Sequence, residues 1–225
     1  MLTKKKKILI IGDSNCLPKY SSKKKDLVKN EDLYLYKLKK KLRHHNVQQV
    51  IWGGITSIQL TDFAISYYEK WKPNTLIIHS GVNDVKNQFI SNNFSTKIFK
   101  ILSFFKISKN TYKEKFLYNS NLLKFHHQPK LDINKFKRQV IKIRSSFKQA
   151  KIIFIGIHCN QKIDKERPYT FKIINIYNDF LRDQFKELFI DDKIFKKNKH
   201  FTRDGYHLNK SGHVILLNKL LKILK

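Results

Sequence analysis

Five short apolar runs, rich in β-branched residues, punctuate the chain at 7–11, 47–51, 75–79, 151–157 and 188–191. Their length and β-branched content predict strands, and the run at 7–11 reads as a buried parallel one. Between them apolar residues recur at helical spacing. Leu35, Leu38 and Leu42 follow the start Asn30-Glu31-Asp32, which offers a capping residue and first-turn acids. Further stripes are Leu60, Phe63, Tyr67 and Trp71, then Phe136, Val140, Ile143 and Phe147. Two more are Ile174, Tyr177, Leu181 and Phe185, and finally Val214, Leu217, Leu221 and Leu224. Each stripe reads as a core face packed on a sheet.

Strands alternating with helices imply right-handed crossovers and a parallel sheet between helical layers. The expected fold class is therefore α/β, with five parallel strands and helices on both faces. In such sheets the site lies at the carboxyl ends of the strands. Ser14 follows the first strand, Gly53-Gly54 the second, Asn83 the third and His158 the fourth. The chemistry-bearing candidates thus share one edge.

One stretch breaks this plan. Residues 86–131 are too many for an ordinary connection, so the chain reads as a single domain, 1–225, with a helical insertion at about 86–131. Within it, Ile98 to Ile107 is apolar apart from a stripe through Lys97, Lys100, Ser103 and Lys106. A lid over the site, a face against membrane and ordinary core all fit that pattern. His126-His127 lack a carboxylate or cysteine at ligand spacing and read as loop histidines, not as a metal site.

Composition adds limits. A chain of 225 residues with 41% hydrophobic residues can build one sizeable core. Cys16 and Cys159 form neither a disulfide framework nor a Cys-x-x-Cys motif, which suits a reducing compartment. Lys4 to Lys7 imitate the basic start of a signal peptide, but the apolar run behind them is too short for one. Nothing approaches the roughly 20 apolar residues of a membrane helix. The expected location is cytoplasmic, with contact to the inner membrane face open to the Lys-rich surfaces. The formal charge is +30, and only six of the 47 basic residues are Arg. An anionic partner would account for the excess, and so would codon bias in an AT-rich genome. The scarcity of Arg argues against nucleic acid, whose phosphates suit the guanidinium fork.

The chemistry sits near the two ends of the chain. Gly12-Asp13-Ser14-Asn15 follows the first strand, and Asp204-Gly205-Tyr206-His207 precedes the last helix. A serine hydroxyl becomes a nucleophile when a histidine takes its proton, and a carboxylate can hold that histidine in the required tautomer. Asp204 and His207, three residues apart, can meet on one turn. Ser14 would attack, His207 accept the proton and Asp204 stabilise the imidazolium. An oxyanion would need donors: the backbone N–H groups of Ser14 and Gly54, and the Asn83 amide. His158, at a strand end, is a candidate for lining the substrate pocket. His79 and His213 read as structural, and Cys16 as a small core residue.

Four blocks in this order resemble the SGNH hydrolase superfamily, the GDSL esterases and lipases. They are Gly12-Asp13-Ser14, the glycine of Gly53-Gly54-Ile55-Thr56-Ser57 (with Gly54 preferred), Gly81-Val82-Asn83-Asp84, and Asp204 to His207. The likeness spans nearly the whole chain outside 86–131. It implies a three-layer flavodoxin-like α/β/α fold, Ser14, His207 and Asp204 as triad, and neither metal nor organic cofactor. The chain departs from it at Asn15, where many members carry Leu, which weakens an inference toward lipases. The expected activity is hydrolysis of a small acyl ester, such as O-acetyl on a glycan or glycan precursor. Transfer of the acyl group to a sugar, thioester or lysophospholipid hydrolysis, and a non-catalytic basic binding module are the alternatives.

Overall fold

The computed structural model describes residues 5–89, 127–160, 163, 169–196 and 199–224. Most of the 86–131 insertion, including the Ile98–Ile107 segment, lies outside the described residues.

Five strands form one sheet: β1 (Lys7–Gly12), β2 (Asn46–Ile51), β3 (Thr75–His79), and two further strands that follow a small hairpin. That hairpin pairs β4 (Asn87–Phe89) with β5 (His127–Pro129) in antiparallel register and closes the base of the insertion. The last two sheet strands are β6 (Lys151–Ile155) and β7 (Phe189–Ile190). The order is β2-β1-β3-β6-β7, with every pair parallel. Chain direction across the sheet reverses between β1 and β3, the position where such folds open a crevice. β6 ends at Ile155, short of the expected 157, because the Asn178 side chain takes over both backbone groups of Ile157 at 2.8 Å.

The helices are α1 (Tyr34–Lys41), α2 (Ser57–Tyr68), the single turn α3 (Val82–Val85), α4 (Ile133–Ser146), α5 (Thr170–Phe185) and α6 (Lys210–Leu224). Alternation along each strand divides the core in two. Leu9, Ile11, Leu76, Ile78, Ile152 and Phe154 face α2, α4 and α5. Ile8, Ile10, Ile77, Ile153 and Ile155 face α1 and α6. The result is the expected three-layer α/β/α arrangement.

The stripes of α4 and α5 are buried where expected: Phe136, Val140, Ile143 and Phe147, and Ile174, Tyr177, Leu181 and Phe185. Those of α2 and α6 require correction. Phe63 and Tyr67 are 40% and 69% exposed and stack on each other at 4.4 Å, while α2 buries Leu60, Thr61 and Ala64. The small Thr61 and Ala64 let α2 approach the sheet, which the larger aromatics would prevent. In α6, Val214 is 42% exposed and the inner face is Gly212, His213, Leu216, Leu217 and Leu220. A Cβ on Gly212 would lie 2.5 Å from the His200 carbonyl oxygen, so glycine here permits the close contact on the inner face. Among the described residues, no helix is long and apolar enough to cross a membrane.

Candidate active site

β1 ends with its ladder extended by one bond on each side. Trp52 N–H donates to the Gly12 carbonyl and Asp13 N–H to the His79 carbonyl, both at 3.0 Å. The chain then tightens into a single 3₁₀ turn, Ser14–Cys16. Asp13 caps it, its carboxylate accepting from Asn15 N–H at 2.9 Å. Asp13 is buried, and that burial raises its carboxyl above the usual range while the Asn15 N–H opposes the rise. The turn lifts Ser14 out of the buried strand end into a partly open position.

The opposite wall comes from residues 200–209. Phe201 and Leu208 form an antiparallel bridge. Between them Gly205 takes φ +73°, a left-handed geometry that glycine adopts without strain. The turn folds Asp204 back on its own backbone: Asp204 Oδ1 accepts from Tyr206 N–H at 2.9 Å, His207 N–H at 3.1 Å and the Thr202 hydroxyl at 2.8 Å. One carboxylate oxygen is thereby fixed and the other, Oδ2, faces the imidazole.

Three predicted residues meet across this gap. Asp204 Oδ2 lies 2.7 Å from His207 Nδ1, and His207 Nε2 lies 3.0 Å from Ser14 Oγ. A carboxylate can only accept, so it holds the proton on Nδ1 and leaves Nε2 bare toward the serine hydroxyl. Lys19 adds a contact that no motif signals. Its ammonium pairs with Asp204 Oδ2 and stands 2.9 Å from His207 Nδ1. With Nδ1 protonated, that second approach joins two donors, so the partner of Lys19 is the carboxylate. Burial, then Lys19, hold the His207 imidazole down to about 4; Asp13 opposes them and Lys86 adds to the lowering.

The donor side is built from β2 and β3. A Cβ on Gly53 would fall 3.7 Å from Ser14 Cβ, so the Gly53–Gly54 peptide lies against the serine. Gly54 has φ +81°, which explains glycine there. Among the described residues, neither Ser14 N–H nor Gly54 N–H donates to the protein. The Asn83 amide is oriented from both ends: Oδ1 accepts from the Lys86 ammonium at 3.0 Å and Nδ2 donates to the Ile55 carbonyl at 3.2 Å. These partners fix which end carries the nitrogen and leave one Nδ2 hydrogen for a ligand. Asp84 ties the two loops together, its Oδ1 accepting from Ser57 N–H at 2.9 Å. Burial raises the Asp84 carboxyl to about 6, against the Ser57 bonds that favour its charged form.

His158 is a correction. It does not line a pocket: it is buried, its Nδ1 bonds the Gly156 carbonyl oxygen at 3.1 Å, and its ring packs against Phe195, Phe201 and His79. Burial holds its imidazole down to about 4. Buried beside it, His79 Nδ1 meets the Tyr34 hydroxyl at 2.9 Å, and Tyr34 stacks on His213. Cys16 is core, 3.3 Å from the same hydroxyl.

No protein-family model matches the chain, and no curated protein matches it in sequence. Solved structures match it over nearly its whole length. A lipase/acylhydrolase from Enterococcus faecalis aligns with TM-score 0.62 and 14% identity, over 97% of this chain and 95% of that one. A variant of Axe2, an acetyl-xylooligosaccharide esterase from Geobacillus, aligns with TM-score 0.59 and 16% identity, over 99% and 95%. A GDSL-like lipase from Bacteroides thetaiotaomicron aligns with TM-score 0.57 and 12% identity, over 97% and 87%. The fold is that of the GDSL-type, or SGNH, esterases and acylhydrolases.

Proposed function

We propose that this chain is a serine acyl-ester hydrolase of the SGNH type. Ser14 attacks the ester carbonyl carbon and His207 Nε2 takes the hydroxyl proton. The carbonyl oxygen becomes an oxyanion facing Ser14 N–H, Gly54 N–H and Asn83 Nδ2. The intermediate collapses, His207 returns the proton to the departing alcohol oxygen, and the acyl group stays on Ser14. Water then repeats the sequence: His207 takes its proton, the acid leaves, and Ser14 regains its hydrogen. Asp204 holds the imidazole tautomer and balances the imidazolium in both halves.

The observation that carries this reading is the unbroken Asp204–His207–Ser14 chain, at 2.7 and 3.0 Å, beside a prearranged group of donors. The substrate we propose is a small acyl ester, such as acetyl on a glycan or glycan precursor. Likeness in fold to an acetyl-xylooligosaccharide esterase supports that choice. The purified protein should release acetate from an aryl acetate, and Ser14→Ala should reduce turnover to the uncatalysed rate. Equal turnover by that variant overturns the assignment.

A further inference from the structure

Three adjoining hollows run along the amino-terminal edge of the sheet, at the other end of the strands from Ser14. The central one, about 650 Å³, lies between α4, β6 and the end of α5, and carries Arg144, Lys148, Lys151 and Lys186. A second, about 210 Å³, shares Phe147, Lys148 and Ala150 with it and adds Lys72. The third, about 370 Å³, shares Lys151 and adds Lys5 and Lys6. Seven exposed cations therefore line one track. Its carboxylates are Glu69 and Glu187, and among the described residues none of the seven cations forms an ion pair. Two of them also sit on unfavourable backbone. Lys72 has φ +50° and Lys186 φ +46°, a region that glycine enters freely and a side chain does not. Of the three such non-glycine residues among those described, two thus lie in this track. Glycine would relax both turns, so local folding does not call for lysine at either.

We propose that this track binds an acidic glycan, a linear chain with carboxylates along its length. Cations spaced along connected hollows suit a polymer of repeated charge. Six of the seven are Lys, whereas a phosphate backbone suits the guanidinium fork of Arg. Single-stranded nucleic acid also needs aromatic faces for its bases, and Phe147 and Phe185 are buried here. The inference deepens the glycan reading above and rests on it for the ester groups the chain carries; binding itself needs no turnover. The track holds the polymer at one end of the strands, which raises the local concentration of its esters at the other.

Calorimetric titration with short and long oligogalacturonates, each against a maltooligosaccharide of equal length, tests this. Affinity should rise with chain length and fall as salt screens it, and the neutral chains should not bind. The double variant Lys72→Gly, Lys186→Gly should keep or raise the urea midpoint, because the strain is relieved. It should nevertheless bind the long oligogalacturonate more weakly by roughly tenfold or more, the scale of lost charge-assisted contacts. Lys23→Ser with Lys24→Ser removes equal charge at the catalytic edge and should weaken binding little. Ser14→Ala should bind as the wild type does. Several results overturn the proposal: equal binding of the neutral chain, no dependence on length, or full affinity in the glycine variant. Tighter binding of a single-stranded DNA of matched charge overturns it too. If the oligogalacturonate binds as expected while Ser14→Ala still hydrolyses an aryl acetate, the acyl-enzyme reading fails and the track stands.

Discussion

Asn15 Oδ1 accepts a hydrogen bond at 3.1 Å from the backbone N–H of Leu208. Both residues are buried. The residue after Ser14 is thus bonded to the residue after His207, and the bond clamps the wall that carries His207 onto the turn that carries Ser14. Asn15→Ala should leave the Leu208 N–H buried and unpaired, at a cost of about 1–3 kcal/mol. Urea denaturation reads that loss. Because His207 loses its tether, kcat should fall by roughly tenfold or more while KM changes little. A variant with full stability and full kcat would show that the clamp is dispensable.

The Asn83 amide is held at both ends before any ligand arrives, so its contribution should be confined to the charged intermediate. Asn83→Ala is expected to lower kcat by about 10²–10³, with little change in KM, on the scale of one lost oxyanion donor. Steady-state kinetics on an aryl acetate decide it. A rise in KM at constant kcat would instead assign Asn83 to ground-state binding.

The base proposed for this site acts when neutral, and the His207 imidazole is held down to about 4. Activity should therefore persist as pH falls and disappear below about 4. Besides partial burial of the ring, the groups that set this are Lys19, Asp13 and Lys86 around it. Lys19→Met removes the second cause of the lowering, so the acidic limb of kcat/KM should move up toward the ordinary imidazole range. A limb that stays in place would mean that burial alone sets it. Stability follows the same sign: the unfolded imidazole, near 6.5, takes its proton first. The contribution of His207 is whole above that pH and is lost as pH falls toward 4.

Asp84 behaves oppositely. Its carboxyl is raised to about 6, so between about 4 and 6 the folded state holds a proton that the unfolded chain has released. Stability from this group is present at the acidic end and lost as pH rises through 6. Asp84→Asn keeps an acceptor for Ser57 N–H and removes the buried charge. It should gain stability over wild type as pH rises from 4 to 6 and hold that gain above it. Denaturant midpoints across this range provide the measurement, and a gap that does not change with pH would refute the assignment.

The order of strands and helices was legible because buried parallel strands leave short apolar runs that few other structures produce. The meeting of Ser14, Asp204 and His207 was legible for a related reason, since a parallel sheet gathers strand ends on one edge. The phase of α2 was not. Phe63 and Tyr67 fit a helical stripe, but the sheet accepts the smaller Thr61 and Ala64, and hydrophobicity alone does not report size. Position at a strand end suggested a pocket role for His158, yet its ring turns inward to Phe195 and Phe201. Lys19 had no signal among so many lysines, because its partner Asp204 is remote in sequence and the pairing depends on how one loop crosses another. Asn15 was visible only as a departure from a pattern; the Leu208 bond supplies its physical meaning.

Ser14 and His207 stand 193 residues apart in sequence and 3.0 Å apart in space. During synthesis Ser14 emerges 193 residues before His207, its proposed base. A nascent chain therefore carries an inert hydroxyl until the 200–209 segment has docked, and contacts of such long range are slow to form. Under the proposed function, the first turnover would mark the moment these two distant segments have found each other, so the onset of activity on refolding would report long-range assembly.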